Sequence, residues 1–258
     1  MVMPGLSATS LDFATTRYDL WAWSAHEYRS PGPCDGNVAD SRAERIMFVD
    51  DETGVLLVGR SDGGNGVYQC QTRNVTQKTA LVGYDGYTES YNMQAQAISY
   101  IGRLKPTTGQ VIIGSYNLVR LPSSTRGNTL ATVGAGADAA GNVYLAQTAS
   151  CCIQNMANLT ANGEPLQPTG DGAALQVVSK DFTTRKLWHH FTRPKVPGSA
   201  NHTSSHAIGV VVGKDMAIFA AVTNQKMVEA NQLPSAKAPS DNEAPAMQGY
   251  LAVVHTLQ

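Results

Sequence analysis

The chain has 258 residues, 42% of them hydrophobic and 15% charged, with a formal net charge of −1. That length buries a sizeable core, as one large or two small domains. The even charge gives no electrostatic case for DNA, RNA or an anionic membrane. No apolar run approaches the roughly 18 residues of a membrane span, and the 24 glycines and 12 prolines, many in short clusters, favour an all-β chain with many turns.

The first 23 residues open on Met1-Val-Met-Pro-Gly5, which lacks the charged and apolar parts of a signal segment. They then reach Asp12-Phe-Ala-Thr-Thr-Arg-Tyr-Asp-Leu-Trp-Ala-Trp23. A close copy follows much later, Asp181-Phe-Thr-Thr-Arg-Lys-Leu-Trp-His-His-Phe191, and a looser one at Pro106–Tyr116. Each reads as a turn followed by a strand rich in aromatic and β-branched residues.

Three hairpins recur between these segments. Thr129–Ala137 and Val143–Gln147 flank Asp138-Ala-Ala-Gly141-Asn142, a turn sequence because Gly takes positive φ freely and Asn tolerates it. Related pairs are Ala43–Val49 with Val55–Gly59, and Ser205–Val212 with Ala217–Ala221. A third strand follows each pair, at Ile98–Leu104, Ala174–Val178 and Tyr250–Val254. Fourth strands are expected at Val111–Tyr116 and Leu187–Phe191, and the last copy lacks one. The spacing predicts three four-stranded repeats per chain in a single β-propeller domain over residues 1–258. A β-sandwich with coincidental local similarity is the competing reading.

Here Ala137-Asp138-Ala-Ala-Gly141-Asn142-Val143-Tyr144 resembles the repeat of bacterial-type β-propeller proteins, an apolar strand, a turn and a strand opening Gly-Asn-Val-Tyr. The other copies depart from it, at Thr53-Gly54-Val55 and Gly213-Lys-Asp215. The resemblance implies a fold and no activity.

In that arrangement the strands rich in Gly, Ala and Val lie innermost and the Trp-bearing strands outermost. Arg17–Trp23, an outer strand without a blade, is expected to close the last blade, so that no sheet edge stays bare. Three blades alone would have to turn about 120° each, whereas propellers use roughly four to eight. The chain is therefore either a piece of a longer propeller or half of a six-bladed homodimer. In the homodimer, Arg17–Trp23 completes the partner's third blade.

Tight turns fall at one face, and the long connections 60–97, 148–173 and 222–249 fall at the other. Binding residues concentrate on loops held by a rigid scaffold, which makes the long-loop face the candidate site. Its ligand-binding candidates are Tyr84, Tyr87 and Tyr91, suited to sugar stacking or protein contact, with His202 and His206. Cys34, Cys70, Cys151 and Cys152 are disulfide candidates, Cys34–Cys70 foremost. Asn74, Asn158 and Asn201 head N-x-T sequons. Together with the low charge they point to an extracellular or cell-surface protein.

No constellation calls for a cofactor or a metal. Asp50-Asp51-Glu52 and Asp241-Asn-Glu243 read as solvated acidic turns, and Asp62-Gly-Gly-Asn-Gly66 lacks the Lys-Ser/Thr of a phosphate loop. Ser204-Ser205-His206 has no nucleophile elbow and no acidic orienter. The expected function is a non-catalytic module that engages protein or glycan. The alternative is a propeller hydrolase or lyase with a central metal or His-based site, a reading the Gly/Ala/Val inner strands disfavour.

Overall fold

The computed structural model describes residues 41–49, 54–62, 67–71, 74–82, 97–120, 127–150, 160–161, 164–165, 172–190, 205–223 and 248–257. Among them every regular element is a β-strand except a 3-10 turn at Val67–Gln69, so the chain is all-β. In chain order the strands are β1 (Ser41–Val49), β2 (Gly54–Asp62), β3 (Cys70–Gln71), β4 (Asn74–Lys78), β5 (Ala97–Leu104) and β6 (Val111–Asn117). Next come β7 (Val119–Arg120), β8 (Gly127–Asn128), β9 (Leu130–Ala137), β10 (Val143–Ala149), β11 (Thr160–Ala161) and β12 (Glu164–Pro165). The series ends with β13 (Gly172–Val178), β14 (Arg185–His190), β15 (Ser205–Val212), β16 (Met216–Thr223) and β17 (Gln248–His255).

Three antiparallel meanders dominate: sheet 1, β1-β2-β5-β6; sheet 2, β9-β10-β13-β14; and sheet 3, β15-β16-β17. Their strands fall where the repeats place them, and sheet 3 has no fourth strand among the described residues. Arg17–Trp23 lies outside the described residues. The short ladders β3-β4, β7-β8 and β11-β12 have no counterpart in the repeat pattern.

The register shows how alike the meanders are. Each first strand holds one extra residue against the second: Glu44, Val133 and Ile208. In every case the pairing resumes at the equivalent step, Arg45 with Val58, Gly134 with Ala146, and Gly209 with Ala220. A second shared bulge sits in the fourth strands, at Ile112 and Lys186. A bulge bends a strand and increases its twist, so a bulge at one register position is a shape feature common to the copies.

The chain divides into two compact units. Unit 1 takes the described residues of Met1–Leu118 with Asp181–Thr183, and unit 2 those of Val119–Lys180 with Thr184–Gln258. In unit 1 the core is aromatic. Tyr68 stacks on Tyr100 with ring centroids 4.4 Å apart and planes 7° off parallel, and Tyr116 meets Tyr100 edge-on at 5.7 Å. Glycines make room for these rings. A Cβ on Gly59 would lie 2.4 Å from the Tyr68 hydroxyl, and one on Gly114 2.4 Å from that of Tyr100.

The connection from β2 to β5 supplies this cover. Gln71 gives its side-chain amide to the Val111 carbonyl and takes the Val111 N–H on its oxygen, both at 2.9 Å. Leu81 bridges Gly114 in parallel at the outer edge of β6. One excursion thus covers a face of sheet 1 and caps its last strand.

Unit 2 joins two sheets face to face. Tyr144, Ala146, Ala173, Leu175 and Val177 of sheet 2 pack on Ala207, Val210, Ala217, Phe219, Ala221, Ala252 and Val254 of sheet 3. Small residues let β9 and β15 approach closely. A Cβ on Gly134 would fall 2.8 Å from the Gly209 Cα, and one on Gly136 2.6 Å from Val212. Two hydroxyls tie the sheets further: Ser205 accepts the Ala173 N–H at 2.9 Å, and Thr148 accepts the Ala207 N–H at 3.0 Å.

Candidate functional site

All three meanders are asymmetric end to end. Strands one to two and three to four are joined tightly, through 50–53, 105–110, 138–142, 179–184 and 213–215. Strands two to three are joined by the long connections 63–96, 150–171 and 224–247. A meander reverses direction at every strand, so in each sheet the long connection leaves from the end opposite the tight turns. Polar groups on such a loop are free to vary while the ladder beneath stays fixed.

The sequence candidates divide by what the structure describes. Tyr84, Tyr87, Tyr91, His202, Cys34, Cys151, Cys152, Asn158 and Asn201 lie outside the described residues, as do the acidic turns around Asp50 and Asp241. Of the four cysteines only Cys70 is described. It is fully buried among Leu57, Tyr68 and Ile98; because Cys34 lies outside the described residues, they do not test the Cys34–Cys70 pairing. Asn74 begins β4, within the β2–β5 connection. His206 lies exposed on β15 at the start of sheet 3. Its neighbour Ser205 is 2% exposed and holds the Ala173 N–H, which gives that hydroxyl a structural task. Among the described residues no group of three or more His, Cys, Asp or Glu side chains comes together as a metal site. No helix among them is long and apolar enough to cross a membrane.

The most organised polar cluster sits at the tight-turn end of sheet 2. Gly141 adopts φ 83°, and its N–H closes the turn on the Asp138 carbonyl at 2.9 Å. One Asp138 carboxylate oxygen accepts the Asn142 backbone N–H at 2.9 Å. The other accepts the Asn142 side-chain amide at 2.9 Å and the Tyr144 hydroxyl at 3.1 Å. Tyr144 in turn accepts the Leu257 N–H at 2.7 Å, and the Asn142 amide also donates to the Leu257 carbonyl. Asp138, Asn142 and Tyr144 therefore form a clasp that grips the backbone just past β17. Burial pushes the Tyr144 phenol up to about 12, so it stays neutral and donates to the carboxylate.

This clasp gives the turn sequence a second role. Asp138 and Asn142 favour a turn by themselves, and the same two side chains, with Tyr144, hold a segment more than a hundred positions away in sequence. The local sequence announces the turn chemistry, while the identity of the gripped backbone depends on sheet 3 packing against sheet 2. In β14, burial lowers the His189 pKa below its ordinary value, as suits a structural imidazole.

Comparison with protein-family models and with curated proteins returns no match.

Proposed function

We propose that the chain is a non-catalytic binding or assembly module whose sheets are propeller-type blades. The observation that carries the binding role is the asymmetry shared by all three meanders, with ladders closed by tight turns at one end and long connections at the other. The shared bulges and the β9–β15 approach at Gly134 and Gly209 support the blade reading, because blades need like shapes and small residues where their first strands converge.

The partner is a protein or a glycan, engaged by the long-loop end with Tyr84, Tyr87, Tyr91, His202 and His206. A glycan array and a panel of purified extracellular proteins, probed with the full chain, test this. Saturable binding that is lost on replacing the three tyrosines with Ala, at unchanged melting temperature, is expected. Binding that survives the triple replacement contradicts the assignment. An extracellular or cell-surface location fits the sequons and the Cys34–Cys70 disulfide that we include in the proposal. Non-reducing peptide mapping that finds both as free thiols in protein from its natural host removes the disulfide.

Arg17–Trp23 is proposed as the missing fourth strand of sheet 3. Its near copy in β14 pairs Leu187 with Val177 and Trp188 with Gln176, with Lys186 bulged out. Transferring that register to β17 sets Leu20 opposite Val253, Trp21 opposite Ala252 and Trp23 opposite Tyr250, with Asp19 as the bulge residue. Deleting residues 1–23 is expected to destabilise unit 2 and bare the β17 edge. Unchanged stability and solubility after the deletion count against it.

A further inference from the structure

Sheet 3 has two faces of very different fate. One packs on sheet 2, and the other presents Ile208, Val211, Met216, Ile218, Leu251 and Val253 to solvent. Their exposed fractions run from 40% at Ile218 to 72% at Val211. Together they show roughly 600 Å² of apolar surface, at the top of what a monomer ordinarily leaves bare. The three strands carry no Asp, Glu, Lys or Arg; His206 and His255 flank the patch, and the oppositely charged Lys214 and Asp215 lie exposed in the turn at its end. The register makes Leu251 and Val253 the equivalents of Leu175 and Val177, which in sheet 2 are fully buried under another sheet.

We infer that this face is the contact surface for a second copy of the chain, with the two sheets 3 stacked on each other about a two-fold axis. An apolar face whose strands carry no formal charge can meet its own copy without burying like charges. Two copies bury roughly 1,200 Å², the lower limit of specific interfaces, and aligned sheets pack well at about 30°. The competing acceptor is the face of sheet 1 that corresponds to the buried face of sheet 3. That face already carries Tyr68, Cys70 and Leu81 from its own β2–β5 connection, and only Ile46, Phe48 and Ile112 show at its margins. A second copy therefore finds its best match in sheet 3 itself.

The inference deepens the assembly reading, yet it is tested on the purified chain alone. Its failure would leave ligand binding at the long-loop end standing, and a failed ligand search would leave the dimer standing. Sedimentation equilibrium of the full chain is expected to give twice the 27.4 kDa chain mass. Val211→Glu and Leu251→Glu, at positions 72% and 71% exposed, should each weaken the dimer at least about 100-fold with the β-sheet circular dichroism unchanged. Should either variant fold poorly, Leu251→Thr with Val253→Thr keeps strand-favouring side chains and is expected to dissociate the pair as well. Phe48→Glu, on sheet 1, should leave the dimer intact. A wild-type monomer, or a dimer indifferent to the sheet 3 substitutions, overturns the inference. Dissociation by Phe48→Glu overturns the two-fold stacking in favour of sheet 3 meeting sheet 1.

Discussion

In unit 1 Tyr100 lies over Gly102 and Gly114, whereas in unit 2 Gly134 lies against Gly209. The glycines of unit 1 make room for aromatic rings, Tyr100 from β5 and, over Gly59, Tyr68 from the β2–β5 connection, and those of unit 2 let two strands touch backbone to backbone. Both remove a sheet face from water. The first needs a long excursion with large side chains, and the second needs another sheet with small ones. Sheet 3 shows the consequence when neither is present, since its second face stays exposed. The cover of a strand face thus depends on what the connections and neighbouring sheets carry, while the first three strands of the meander are alike in all three sheets.

The sharpest way to break the comparison is Gly134→Val. The nearest obstacle is the Gly209 backbone, which has no rotamer to yield, so a loss of about 3 kcal/mol or more in unfolding free energy is expected by urea titration. A loss under about 1 kcal/mol would show that β9 and β15 separate freely and that the close approach is not a constraint.

Gly114→Ala comes next, at about 1–3 kcal/mol, because its obstacle is the Tyr100 hydroxyl at the end of a ring fixed by stacking. Here a second change should help. Tyr100→Phe removes the obstructing oxygen, a buried group with no hydrogen-bond partner among the described residues, and the double variant should recover part of the loss. If the two changes simply add, the ring is not what Gly114 accommodates.

Tyr144→Phe probes the clasp and should cost about 1–2 kcal/mol, since it strips a donor from Asp138 and an acceptor from Leu257. Amide exchange at Leu257 gives the specific readout. It should accelerate well beyond exchange in sheet 1, and equal protection in variant and wild type would remove the clasp from the account of unit 2.

The mildest probe is pH. Burial raises the phenols of Tyr100, Tyr116 and Tyr144, the last to about 12, above their ordinary value of 10.0. The unfolded chain therefore releases these protons first as pH climbs. Stability from the neutral phenols is complete below pH 10 and is lost progressively as pH rises toward and past 12. Urea midpoints should hold below pH 10 and fall between pH 10 and about 11.5, with a slope that Tyr144→Phe makes shallower. A midpoint flat to pH 11 would mean that the tyrosines ionise alike in both states.

The strands themselves were legible in the sequence. Turn chemistry at Asp138–Asn142, alternation in Val143–Gln147 and the copying of Asp181–Phe191 are local, and backbone preference acts over a few residues. So the three meanders follow from the chain read alone. Strand ends were read less well: β2 runs on to Asp62 and β17 on to His255, because ladder hydrogen bonds continue through polar residues that carry no apolar alternation. The long-loop candidates at Tyr84, Tyr87, Tyr91 and His202 rest on sequence, while His206 and Cys70 acquire surroundings from the fold.

Tertiary structure alone decided which glycine faces a ring and which faces a backbone. It also decided that Asp138, Asn142 and Tyr144 grip Leu257, and that Ser205 serves Ala173. The clasp on Leu257 and the Gly134–Gly209 approach join residues far apart in sequence. A glycine's spacing in a strand records that a neighbour comes close, and only the packing of the sheets determines which neighbour it is.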